Sequence, residues 1–162
     1  MSDCSVANLA GDSRELSYGQ SFIPNSPGPD GVAPPASTTA VTMQKITLGY
    51  PTYELATTVK CYVYDRWLPD PEQVGQSAGQ VAQSDVFADG DELGPDTYTR
   101  AFEFTSIPLD ATKKYYIYFE LHQMLKIKGD VPYEGCDMLD AEGEPEYSLC
   151  IMFKVDMTAV ST

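Results

Sequence analysis

Phe104-Thr105-Ser106-Ile107-Pro108-Leu109-Asp110-Ala111-Thr112 runs directly into Lys113-Lys114-Tyr115-Tyr116-Ile117-Tyr118-Phe119-Glu120-Leu121. The stretch reads as a strand, a tight polar turn and a second strand, because aromatic and β-branched residues fill both arms. Alternation of period two directs Ile117, Phe119 and Leu121 inward and Tyr116, Tyr118 and Glu120 outward. Just upstream, Tyr98 to Phe104 alternates as well, with Tyr98, Arg100, Phe102 and Phe104 opposite Thr97, Thr99, Ala101 and Glu103.

The same period recurs on both sides. In Thr57 to Asp65, Val59, Cys61 and Val63 share one face, and Lys60, Tyr62 and Tyr64 share the other, which predicts a core position for Cys61. Tyr18 to Phe22, Val41 to Leu48 and Gln80 to Phe87 read as further strands, and Met124 to Lys128 as a short strand or turn. Tyr147 to Val155 reads as the last strand, with Leu149, Ile151, Phe153 and Val155 on one face. No window of about 11 residues carries a helical period. The expectation is an all-β, jelly-roll-like antiparallel sandwich of about eight strands.

A chain of 162 residues is most simply one domain. The reading divides it into a flexible polar N-terminal arm (1–16), the sandwich (17–157) and a short tail (158–162). Two loops break the pattern: 24–38, with Pro24, Pro27, Pro29, Pro34 and Pro35, and 66–79, which holds Trp67. Residues 122–146 form a long, mostly acidic excursion.

The net charge of −14 argues against nucleic acid and anionic membrane as partners, since both require a positive footprint. No apolar run approaches the ~18 residues of a membrane span. The start, Met1-Ser2-Asp3-Cys4, carries neither the basic nor the apolar region of a secretory signal. The four cysteines, at 4, 61, 136 and 150, lack zinc-ligand spacing. A bridge between Cys136 and Cys150 is geometrically plausible, and four free thiols is the preferred reading, since a domain this large needs no staple.

Gly19-Gln20-Ser21-Phe22, Ile46-Thr47-Leu48, Val59 to Asp65, Tyr98 to Phe104 and Pro108-Leu109 with Lys114 to Ile117, in that order, resemble jelly-roll modules of the carbohydrate-binding or galactose-binding-like type. Such modules recur in secreted bacterial proteins and in bacteriophage virion proteins. The resemblance covers most of 18–121 and the last strand. It implies two sheets packed face to face with loops at the ends, and fixes no ligand.

Two kinds of site follow from the residues. Trp67, Tyr62, Tyr64, Tyr116 and Tyr118 are candidates for an aromatic platform on which a sugar stacks, and protein contact is the preferred use of the same rings. Asp89, Asp91 and Glu92, close to Asp85 and Asp96, offer carboxylates to calcium, with a solvated acidic loop as the favoured alternative. Asp137, Asp140, Glu142, Glu144 and Glu146 form a second acidic cluster of the same kind. His122 is the one histidine, has no nucleophile phrase beside it and reads as structural. No phosphate-cradling glycine loop occurs.

The combined expectation is a non-enzymatic structural protein of a bacteriophage particle, made in the host cytoplasm. It decorates a capsid or forms part of a surface appendage, contacts capsid subunits and assembles as a homo-oligomer without a cofactor. The alternative is an extracellular carbohydrate-binding module with structural calcium.

Overall fold

The computed structural model describes residues 2–51, 59–74, 78–84, 97–131, 133–147 and 149–160, and the backbone of 87–89. Twelve strands are described: β1 (Ser2–Asn8), β2 (Ser13–Phe22), β3 (Ala40–Tyr50), β4 (Cys61–Tyr64), β5 (Gln80–Gln83), β6 (Phe87–Asp89), β7 (Tyr98–Asp110), β8 (Tyr115–Lys128), β9 (Asp137–Leu139), β10 (Pro145–Tyr147), β11 (Cys150–Ile151) and β12 (Phe153–Ala159). They form two antiparallel sheets, one ordered β1-β12-β3-β7-β6 and a larger one ordered β10-β9-β2-β8-β4-β5, with β11 also on β8. Setting aside the short β6, β9, β10 and β11, eight strands remain. In chain order they lie first-eighth-third-sixth in one sheet and second-seventh-fourth-fifth in the other. That is the order of a jelly roll. Among the described residues no helix is long and apolar enough to cross a membrane.

The turn at Asp110 decides this topology. The flanking strands β7 and β8 do not pair with each other: β7 lies against β3 and β6, and β8 against β2, β4 and β11. The turn is a corner between sheets. Thr112 donates from its backbone N–H and its hydroxyl to Asp110 Oδ1, each at 2.8 Å. The Tyr115 hydroxyl accepts from the Asp110 N–H at 2.8 Å. An Asp accepting from the chain two residues on is a local substitute for backbone pairing.

Between the sheets lies one core. Phe22, Ile46, Leu48, Phe102, Ile117, Phe119, Phe153 and Val155 in it have no exposed surface, and Cys61 joins them as the alternation predicts. Each such aliphatic or aromatic side chain contributes roughly 1.5–3 kcal/mol by leaving water.

The structure corrects four expectations. First, residues 2–8 are not part of a flexible arm. They are strand β1, paired along its length with β12, with Cys4 and Val6 in the core. The Pro-rich loop lies on the other side of β1 instead of reaching away from the molecule. Ser5 exchanges backbone hydrogen bonds with Val32 at 2.8 and 3.0 Å, the Ala7 N–H donates to the Pro27 carbonyl, and the Leu9 N–H donates to Asp30 Oδ2. An open sheet edge invites other strands, and this loop blocks it. Gly31 allows the approach, since a Cβ there would stand 2.4 Å from the Ser5 carbonyl oxygen.

Second, the single last strand is three short ones. β10 belongs to the hairpin with β9, β11 lies in the larger sheet, and β12 lies in the smaller one. The chain changes sheet at Met152, whose N–H donates to the Lys126 carbonyl and whose carbonyl accepts from the Gly49 N–H. The Met152 side chain fills space left by Gly11 and Gly49, at each of which a Cβ would meet it at 2.7 Å. Third, Gln80 to Phe87 is not one strand, because β5 and β6 lie in different sheets. Fourth, Leu121 does not face the core. The register of β2 on β8 slips between Ser17 and Gly19, so Tyr18 stands opposite the extra residues before Gln123, and Leu121 is 59% exposed.

One buried polar atom is left over. Among the described residues, the Tyr50 hydroxyl is a buried side-chain oxygen without a hydrogen-bond partner, although the Tyr50 ring has the Arg100 guanidinium 5.9 Å from its centroid. An unpaired buried hydroxyl is destabilising. Tyr50→Phe is therefore expected to unfold at the same or higher denaturant concentration than the wild type, by up to about 1 kcal/mol. A urea titration checks it, and a lower midpoint would contradict it.

Candidate binding face of the larger sheet

Of the five aromatic residues nominated from sequence, the four tyrosines meet. β4 and β8 pair with Tyr62 opposite Tyr118 and Tyr64 opposite Tyr116, which brings four rings onto neighbouring strands. The Tyr64 and Tyr118 rings pack edge to face with centroids 5.5 Å apart, and Tyr116 lies 6.5 Å from Tyr118. Lys114 Nζ stands 5.6 Å from the centroid of Tyr116. Trp67 follows on the loop leaving β4.

This face is not an open platform. Tyr64 and Tyr118 have no exposed surface and Tyr62 keeps 8%, in a second apolar cluster completed by Leu68 and Leu139. Two covers close it. One is the loop 65–74, with a short 3-10 turn at Pro71–Gln73 capped by Asp70, which accepts from the Glu72 N–H. The other is the β9–β10 hairpin, whose Leu139 carbonyl accepts from the Ser17 hydroxyl at 2.8 Å.

Hydrogen bonds hold both covers down. The Leu68 N–H donates to the Tyr118 hydroxyl, so that phenol is both buried and occupied. The Tyr64 hydroxyl donates to Gln80 Oε1 at 3.2 Å. Trp67 Nε1 donates to the Gly143 carbonyl at 2.9 Å, which joins one cover to the other. Gly143 sits at φ +83° against Pro71, where a Cβ would come within 2.7 Å of the proline ring. Burial pushes the Tyr118 phenol well above its ordinary range, so it stays neutral in ordinary buffers. Of the five rings only Trp67, 37% exposed, and the half-buried Tyr116 retain open surface. Tyr62, Tyr64 and Tyr118 are thus stacked in the covered cluster and present no open ring face.

The acidic clusters divide. Asp91 and Glu92 lie outside the described residues, and Asp89 ends β6 with only its backbone described. In the second cluster the carboxylates serve the fold. Asp137 is buried and pairs with Lys114. Asp140 Oδ1 accepts from the N–H groups of Glu142 and Glu144 and so shapes the hairpin turn. Among the described residues no three His, Cys, Asp or Glu side chains converge as metal ligands would. His122 lies exposed with its ring edge-on to Tyr18, centroids 5.3 Å apart.

The sequence reading passed over one feature of this sheet. Where the β2–β8 register slips, Leu121, Met124 and Leu16 are 59%, 39% and 37% exposed, and Leu16 stands directly opposite Met124 in the ladder. A β-bulge re-aims side chains and increases local twist. Only the positions of Leu16 and Met124 outside the predicted alternation pointed to it. Comparisons of the chain with protein-family models, curated proteins and solved structures gave no match.

Two outcomes test the covered face. Tyr118→Phe leaves the Leu68 N–H buried without an acceptor, which costs roughly 1–3 kcal/mol. It should also loosen the Trp67 loop, visible as a red shift in the emission of this single tryptophan. Unchanged stability and emission would contradict the account. The same loop is tied to the Asp110 corner by Asp65, which accepts from Arg66 Nε at 2.9 Å and from Lys113 Nζ at 3.4 Å. The hydrogen bond from Arg66, more than the opposing desolvation, holds the Asp65 carboxyl below its usual range. A depressed carboxylate contributes stability that is present above its unfolded pKa of about 3.9 and is lost as the pH falls through the folded value. Asp65→Asn should therefore lower stability at neutral pH and leave it nearly unchanged well below pH ~3, as urea midpoints across the acid range would show.

Proposed function

We propose that this chain is a non-enzymatic structural subunit that assembles through the outer face of its larger sheet, in the particle of a bacteriophage. The observation that carries the assembling role is the apolar patch of Leu16, Leu121 and Met124 at the β2–β8 bulge. Apolar side chains gathered on the outside of a sheet mark a surface that is covered in use. The remainder of the chain's net charge of −14 keeps copies apart everywhere except at such an uncharged spot. The particle itself is drawn from the resemblance to virion jelly rolls, which the jelly-roll strand order supports.

The occupant of the patch is a second copy of this chain. Closed symmetric association presents the same patch on both partners, which suits a short, self-complementary apolar surface. For the carbohydrate-binding alternative, Trp67 and the half-buried Tyr116 keep open surface.

Native mass spectrometry over a concentration series tests the proposal. The wild type is expected to form a closed oligomer, and Leu121→Asp to stay folded and associate roughly ten- to a hundredfold more weakly, the worth of one buried leucine. A wild type that is monomeric throughout would overturn the proposal. If that monomer binds oligosaccharide and Trp67→Ala abolishes the binding, the carbohydrate reading takes its place.

A further inference from the structure

Cys136 and Cys150 stand on either side of the β9–β10 hairpin, Cys136 just before β9 and Cys150 opening β11. All four cysteines are unbridged, yet these two share surroundings the others lack. The Tyr133 hydroxyl lies 3.3 Å from Cys150 Sγ, and the Tyr133 carbonyl accepts from the Cys136 N–H at 3.1 Å. The Cys136 thiol donates to the carbonyl of Leu149, the residue preceding Cys150, at 3.4 Å. Gln20 Nε2 approaches Cys136 Sγ at 3.8 Å from the core side.

The two cysteines differ in exposure, Cys136 keeping 5% and Cys150 none. Cys136 lines an open cleft of about 460 Å³, bordered by Lys114, Tyr133 and the largely exposed Tyr147. Cys150 lies behind it with no exposed surface. Cys4 also lines a cleft, of about 360 Å³, with Met157 opposite it on β12, and Cys61 lies in the core; neither has a second cysteine beside it among the described contacts.

We propose that Cys136 and Cys150 form a reversible dithiol–disulfide couple, in which Cys136 exchanges with a small disulfide such as glutathione disulfide and Cys150 resolves the adduct. The Cys136 thiolate attacks one sulfur of glutathione disulfide. That S–S bond breaks, and one glutathione leaves as a thiolate that takes up a proton. Cys150 then gives up its proton and attacks the Cys136 sulfur, which releases the second glutathione. Two protein thiols are oxidised to one disulfide while one glutathione disulfide is reduced to two glutathione thiols.

The environment divides these roles. Donors around Cys136, the Cys150 thiol first and then Tyr133 and Gln20, favour its thiolate over the opposing effect of burial. Burial holds the Cys150 thiol in its protonated form until a mixed disulfide stands beside it. The bond closes a short loop that carries the β9–β10 hairpin, one of the two covers over the Tyr64–Tyr118 cluster. Oxidation therefore fastens that cover covalently, and reduction leaves it held by hydrogen bonds.

Peptide mapping tests the couple on the full chain. The protein is incubated with excess glutathione disulfide, denatured in acid, alkylated and digested. The expected product is a peptide pair linked through Cys136 and Cys150, with Cys4 and Cys61 alkylated, and with all four alkylated after dithiothreitol. In Cys150→Ser a glutathionyl group should remain on Cys136, whereas in Cys136→Ser it should not appear on Cys150. Four alkylated thiols after oxidation, or a link through Cys4 or Cys61, overturns the proposal. The wild-type map decides the matter even if a variant does not fold.

Discussion

The first part of β8, Tyr115–Phe119, is covered on both of its faces, and the rest of the molecule depends on that. The 14 residues of β8 pair with β2, β4 and β11, so it is the axis of the larger sheet. Ile117 and Phe119 fill the core between the sheets, while Tyr118 on the opposite side anchors a second cluster under two loops. A strand apolar on one face and aromatic on the other cannot stand at a solvated surface. The 65–74 loop has an apolar seat and a hydroxyl acceptor in Tyr118, and the β9–β10 hairpin, held by pairing of β9 with β2, adds Leu139 to the same cluster.

An outer sheet face with tyrosines in neighbouring strands is what a sugar-binding module needs, and here the same rings are spent on holding the chain's own loops. The proposed partner surface is the place where β8 leaves register with β2. Leu121 is exposed there, three residues before Met124, which stands opposite Leu16. Gly19 marks the same place from the other strand, because a Cβ there would strike the Ile117 carbonyl oxygen at 1.8 Å. Close backbone approach and outward display of Leu121 are two consequences of one irregularity.

Much of this was legible in the residues. Period two in Tyr98 to Phe104, Val59 to Tyr64 and Tyr115 to Phe119 assigns strands and inward faces that the structure repeats, down to Cys61 in the core. The nominated tyrosines, Tyr62, Tyr64, Tyr116 and Tyr118, stand on neighbouring strands as well. Three things escaped a local reading, each for a physical reason. Ser2–Asn8 carries Asp3, Ser5 and Asn8 among its apolar residues, and it is a strand because β12 pairs with one edge and the Pro-rich loop with the other. Cys150 to Phe153 is continuously buried, so its alternation gives no sign that Met152 is a corner between sheets. The covers over Tyr64 and Tyr118 come from segments far along the chain, and no spacing near the tyrosines announces them.

The outer face of the larger sheet is closed over its tyrosines, and its proposed docking surface lies at the β2–β8 bulge. Hydrogen exchange of the full chain, dilute and concentrated to assembly, reads both halves at once. The account predicts slow exchange at the Leu68 amide in both states, with protection gained on assembly in peptides spanning residues 14–18 and 120–124. Fast exchange at Leu68, or protection gained instead along β1 and the 24–38 loop, would contradict it.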